Sequence, residues 1–183
     1  NRGGPMHLLG WISPRQALLW PSHVNDTWYA HVGQGKKRPR PIAPVHPPAG
    51  YIGGKRRLAK RLVELIEATP HTTYAEAFVG MGGVFLKRRQ QPKAEVINDF
   101  SGDVANLFRI LQRHYPQFMD TLRFQLSGRR EFERLKATDP ATLTDLERAG
   151  RFLYLQRTAF GGKVTGRTFG VDPASGSAFD LNR

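Results

Sequence analysis

Apolar residues change period several times along this chain, and each change marks an element. Leu58, Leu62, Leu65 and Ile66 recur at helical spacing with Lys and Arg opposite, and Pro70 stands just beyond, so a helix is predicted over 56–68. Thr72-Thr73-Tyr74-Ala75 opens a short strand, predicted over 72–78, and runs into the glycine turn Gly80-Met81-Gly82-Gly83. Val84 to Arg89 reads as a helix over 83–89, and Glu95-Val96-Ile97-Asn98-Asp99 as a second strand ending in an acid. Val104, Leu107, Phe108 and Leu111 give a helix over 102–114. From there the chain is predicted to be mainly helical to about Phe160, most clearly over Leu143–Tyr154, and its Gly- and Ser-rich last 20 residues read as a loop or hairpin.

Residues 1–48 break this pattern. They are rich in Pro, Gly, Trp and His without sustained periodicity, and Lys36 to Pro41, followed by Pro44, Pro47 and Pro48, reads as an extended basic linker. Trp11, Trp20 and Trp28 suggest a small packed appendage, a poorly ordered stretch, or a segment foreign to the fold. The expected division is an extension over 1–48, a βα core over 49–115 and a mainly helical region over 116–183. This is an α/β chain long enough for one full core.

Composition narrows the partners. Twenty-eight Lys and Arg against 15 Asp and Glu give a formal net charge of +13, which suits a polyanion. Cysteine is absent, so thiolate metal sites and disulfides are excluded, and the six histidines show no ligand spacing; no metal is expected. No run approaches the roughly 20 apolar residues of a membrane helix, and the expected compartment is the cytoplasm.

Candidate chemistry gathers in three stretches. In Glu76-Ala77-Phe78-Val79-Gly80-Met81-Gly82-Gly83, a strand, a tight turn and a following helix would form a pocket at the carboxyl end of a strand. Glycines there let backbone approach a ligand, and an acid beside an aromatic suits an adenosine-bearing cofactor. Asp99, about 20 residues on, stands where an acid accepts from ribose hydroxyls; Asp103, in the first turn of a helix, reads as a capping charge. Gly53 and Gly54 precede a helix, whose free N–H groups favour an anion. Lys55 would neutralise a ligand carboxylate or remain a solvated surface lysine.

These blocks, in this order, resemble the Dam-type adenine-N6 DNA methyltransferases, whose S-adenosylmethionine motifs precede the catalytic motif. Tyr51-Ile52-Gly53-Gly54-Lys55 resembles the family's amino-terminal aromatic-x-Gly-Gly-Lys block. Glu76 to Leu86 resembles its Glu-Pro-Phe-x-Gly-x-Gly cofactor block, and Val96 to Asp103 its ribose-binding block. Phe152 to Gly162 resembles its Leu-Asn-Arg-x-x-Phe-Asn-Gly block, in or beside the target-recognition segment. The resemblance implies a Rossmann-like S-adenosylmethionine-dependent methyltransferase fold with a mainly helical target-recognition insertion. It implies a cofactor site at Tyr51, Gly54, Lys55, Glu76, Phe78, Gly80, Gly82 and Asp99, and double-stranded DNA as substrate, with a restriction endonuclease as a further partner. Arg129, Arg130, Arg134, Lys136, Arg148, Arg151, Arg157 and Lys163 become candidates for phosphate contact, against the plain alternative of a solvated charged face.

The chain departs from the family at Ala77, Gln156 and Gly161, which replace a proline and two asparagines. The catalytic Asp/Asn-Pro-Pro-aromatic is missing: Asp139-Pro140-Ala141 and Asp172-Pro173-Ala174 lack the second proline and the aromatic, and Pro47-Pro48 precedes the cofactor blocks. The expectation is therefore a piece of a larger enzyme with an incomplete sheet and no catalytic residue of its own. The competing readings are a non-catalytic nucleic-acid-binding module and, less well matched to the Gly-Gly-Lys block, a dinucleotide enzyme.

Overall fold

A computed structural model describes residues 28–32, 39–171 and 178–179. Its centre is a three-stranded sheet. β3 (Thr73–Glu76) runs parallel to β5 (Ala94–Asn98), and β1 (Trp28–Val32) pairs antiparallel on the other side of β5. Thr73 lies opposite Ala94 and Glu76 opposite Ile97. β2 (Arg40–Pro41) and β4 (Gln90–Gln91) form a separate two-stranded ladder. The amino-terminal segment read as linker is thus partly built in: besides β1 and β2, Ile42 N donates to Arg89 O and Val45 N to Leu86 O. Trp11 and Trp20, like Asp172-Pro173-Ala174, lie outside the described residues.

Among the described residues there are five α-helices: α1 (Ala59–Ala68), α2 (Gly102–Arg113), α3 (Tyr115–Leu122), α4 (Arg129–Ala137) and α5 (Asp145–Thr158). α2 and α5 pack together, and Val104, Leu107, Phe118, Phe132, Phe152 and Leu155 form the centre of the apolar core. Ser101 caps α2, its Oγ accepting from Val104 N, and Thr144 opens α5 with a full capping box to Glu147.

Two expectations differ from the structure. α1 buries Ala59 and Val63, with Leu62 and Ile66 partly covered, while Leu58 and Leu65 remain 58% exposed. Positions 59, 62, 63 and 66 form their own helical stripe, and the overlapping leucines conceal it in the sequence. The helix predicted over 83–89 shrinks to a single 3-10 turn, Phe85–Lys87. Arg88 is extended there and turns inward, only 1% exposed, to pair with buried Glu95 beneath the rings of Tyr74 and Phe85. A buried charge demands such a partner, and satisfying it breaks the helix.

Candidate functional site

The glycine turn leaves β3 between two ordered neighbours. Val79 N donates to Asn98 O, extending the parallel ladder, and Gly82 N closes the turn on Val79 O. Gly80 has φ +53, and a Cβ there would meet the Tyr51 ring at 3.3 Å. Glycine is required at that point by both its conformation and its neighbour. Asp99, at the end of β5 and 8% exposed, fixes the turn from below: Oδ2 accepts from Gly80 N at 2.8 Å and Oδ1 from Ser101 N at 3.0 Å.

The Tyr51–Lys55 block lies over this turn. Gly54 N donates to Tyr51 O, and the Gly83 α-carbon comes so close that a Cβ on it would sit 3.4 Å from Arg56 N. Between them opens a cleft of about 360 Å³, lined by Pro47, Ala49, Gly50, Tyr51, Gly53, Gly54, Lys55, Arg56, Phe78, Val79, Gly80, Met81, Gly83 and Asp99. Six of the eight residues expected to hold a cofactor therefore meet at one place: Tyr51, Gly54, Lys55, Phe78, Gly80 and Asp99. Phe78 is 71% exposed and gives the cleft an apolar rim. Burial, then the charge of Asp99, pushes the Tyr51 hydroxyl pKa up, with Arg167 opposing, so the hydroxyl stays protonated.

Glu76 and Gly82 stand elsewhere. A Cβ on Gly82 would strike Leu86 at 2.8 Å, so this glycine serves packing. Glu76 is 8% exposed; its Oε2 accepts from Tyr74 Oη at 2.7 Å, and its Oε1 lies 3.1 Å from Lys55 Nζ without an aligned hydrogen bond. Lys55 also donates to Phe78 O. Its charge is thus balanced within the protein by Glu76, where the sequence offered either a ligand carboxylate or solvent as its surroundings.

A support for the cleft went unread in the sequence. Gln156, 1% exposed near the end of α5, donates through Nε2 to Gly50 O at 2.8 Å and to Gly162 O at 2.7 Å, while Oε1 accepts from Arg167. Ile52 N donates to the same Gly162 O, and Gly162 approaches so closely that a Cβ on it would lie 2.9 Å from the Gly50 carbonyl carbon. The fourth sequence block thereby holds the first in place. Its signal was the glycine pair after α5, the only hint of a close backbone approach. Phe100, beside Asp99, is 94% exposed, which the sequence pattern does not signal.

The cations expected at phosphate are mostly engaged. Arg134 pairs with Glu131 and Arg148 with Asp145; Arg151 donates to Leu135 O and Lys136 O; Arg129 lies over Phe169 and Arg157 over Phe179. Arg130 and Lys163 are exposed. Asp139, of the incomplete Asp-Pro pair, caps a 3-10 turn by accepting from Ala141 N. Among the described residues no group of three possible metal ligands occurs, and no helix is long and apolar enough to cross a membrane.

Comparison with known proteins bears on this arrangement. Type II methyltransferase M1.LlaDCHI of Lactococcus lactis subsp. cremoris is 27% identical over 124 residues, which cover 64% of this chain and 43% of that protein. The chain thus spans less than half the length of this curated relative. Residues 51–167 match the model of the D12 class N6 adenine-specific DNA methyltransferases, from the aromatic over the glycine turn to the arginine on Gln156, and the chain belongs to that family.

Proposed function

We propose that this chain is the cofactor-binding and partial DNA-recognition portion of an enzyme that methylates the exocyclic amine of adenine in double-stranded DNA. In this reading, residues 49–115 form a Rossmann-like S-adenosylmethionine core and 116–183 part of the recognition region. The observation that carries it is the convergence of Tyr51, Gly80 and Asp99 from three separate stretches on one cleft, all within the family match.

The cleft suits S-adenosylmethionine. A glycine turn without Cβ atoms gives backbone access, an apolar rim at Phe78 suits adenosine, and Asp99 keeps acceptor capacity after its two backbone bonds, since each carboxylate oxygen takes more than one donor. Asp99 would accept from the ribose hydroxyls, Tyr51 would cover the ligand from the opposite wall, and Lys55, with Glu76 beside it, would face the methionine carboxylate. Bound there, S-adenosylmethionine supplies an electrophilic methyl group on a sulfonium sulfur. The target base must leave the duplex to reach it. Its amine also needs acceptors that localise the nitrogen lone pair, and no Asp/Asn-Pro-Pro-aromatic among the 183 residues provides them.

Calorimetry with S-adenosylhomocysteine and with NAD tests the site. Binding of the homocysteine compound and indifference to NAD are expected. Tight NAD binding with no response to S-adenosylhomocysteine would overturn the reading.

A further inference from the structure

Five cations stand within seven residues, Lys55, Arg56, Arg57, Lys60 and Arg61, with no acid among them. Lys55 is held by Glu76 and Phe78 O. The side chains of Arg56, Arg57, Lys60 and Arg61 are exposed and have no hydrogen-bond or ion-pair partner among the described residues. Arg57 ends the 3-10 turn Lys55–Arg57 that leads through Leu58 into α1, and its spacing to Lys60 and Arg61 in the first turn of α1 gathers the three on one face of that continuous stretch. Two acids lie on the same helix. Glu67 is bound to Arg89, and Glu64, exposed, leans its charge toward Arg89 as well.

We infer that this face, at the start of α1, is a phosphate-contacting surface for nucleic acid, and that it carries more of the backbone contact than Arg134 of α4 and Arg148 of α5. Unpaired cations can exchange condensed counterions for phosphates, whereas Arg134 and Arg148 must first leave carboxylates they already hold. Position supports the same partner. Arg56 lines the cleft beside Tyr51 and Lys55, and Arg57 follows it in the chain, so a strand held by this basic run would lie beside the cleft. A base drawn out of that strand would have a short path to the proposed cofactor. The inference rests on the reading of this protein as a DNA methyltransferase.

Leu58 and Leu65, both 58% exposed, flank the cations, and a basic helix edge with exposed leucines is also how a peripheral membrane helix looks. The two partners separate by experiment. Binding of a fluorescent adenine-containing duplex is measured against salt for the full chain and for the triple variant Arg57→Gln, Lys60→Gln, Arg61→Gln, and sedimentation with phosphatidylserine vesicles is run beside it. Far-UV circular dichroism and S-adenosylhomocysteine titration establish that the variant keeps its fold and cleft. The slope of log affinity on log salt should shrink by up to about 2.7, three phosphates at about 0.9 each, with at least about a tenfold loss of affinity near 100 mM salt. A charge-preserving triple variant, Arg57→Lys, Lys60→Arg, Arg61→Lys, should restore the slope. An unchanged slope in the glutamine variant, with the parent chain binding DNA normally, overturns this inference alone. Failure of the parent chain to bind DNA at low salt overturns it together with the methyltransferase reading. Loss of vesicle binding with DNA binding intact overturns it in favour of a membrane surface.

Discussion

Asp99 shows how one side chain can serve both the fold and the proposed cofactor site. Its two oxygens hold Gly80 N and Ser101 N, so the acid that faces the cleft also fixes the turn that forms it. Asp99→Ala removes a charged acceptor, itself only 8% exposed, and leaves the Gly80 and Ser101 backbone donors unmatched. Affinity for S-adenosylhomocysteine should fall by about tenfold to hundredfold, matching about 1.5–3 kcal/mol for a bond to a charged group, and the melting temperature should fall with it. Asp103→Ala is the control. Asp103 lies in the first turn of α2, where Ser101 already caps, and its loss should cost about 0.5 kcal/mol of stability and spare affinity. Titration calorimetry and thermal melts of both variants decide the matter, and equal losses of affinity would reject the division of roles.

At the scale of elements, α5 acts on the cleft through Gln156. Gln156→Ala leaves the Gly50 and Gly162 carbonyls without their donor and should cost about 1–3 kcal/mol, with a parallel loss of S-adenosylhomocysteine affinity as the Tyr51 block loosens. Gln156→Glu has the same size and keeps an acceptor for Arg167, yet it turns oxygen toward both carbonyls, so it should be at least as harmful. A glutamate variant with unchanged melting and binding would show that shape rather than hydrogen bonding holds the block. The opening of α5 carries a pH signature. Hydrogen bonds from Thr144, side chain first and then backbone, hold the Glu147 carboxyl below its usual range. A depressed carboxylate stabilises the fold above its unfolded pKa and loses that effect as pH falls through its folded one. The helix should therefore fray from Thr144 in acid below about pH 4, and Glu147→Gln should flatten that dependence in circular dichroism. Much at this scale was legible beforehand. Both parallel strands and α2 follow from periodicity, and the Tyr51, Gly80 and Asp99 blocks announce themselves through glycines and acids at strand ends. What escaped depends on contacts distant in sequence. Arg88 reads as one more surface charge until β5 brings Glu95 under it, Gln156 reads as a helix residue until Gly50 arrives 106 positions away, and β1 has no pattern without β5 to pair with.

For the whole molecule, the question is how far a cofactor cleft and a basic surface go toward methyl transfer. Among the described residues, β3 has a partner only at β5, so one edge of the sheet is open and bordered by a groove that includes Leu62, Leu65 and Ile66 of α1. Such an edge favours association with other chains. Chemistry sets a stricter limit. Holding an electrophile supplies orientation, but an amine whose lone pair is delocalised into the ring must also be aligned and made nucleophilic by positioned acceptors. Of the charged side chains facing the cleft, Asp99 already holds the glycine turn and Lys55 is a donor held by Glu76 and Phe78 O. Asp139, the nearest sequence match to a catalytic acid, is occupied as a cap. The chain by itself is therefore expected to bind S-adenosylhomocysteine and DNA while transferring no methyl group. Transfer of a labelled methyl group to an adenine-containing duplex, measured beside full-length M1.LlaDCHI, tests this directly. Robust transfer by the 183-residue chain would place a catalytic acceptor among its own residues, and alanine at Asp172 would be the first substitution to make.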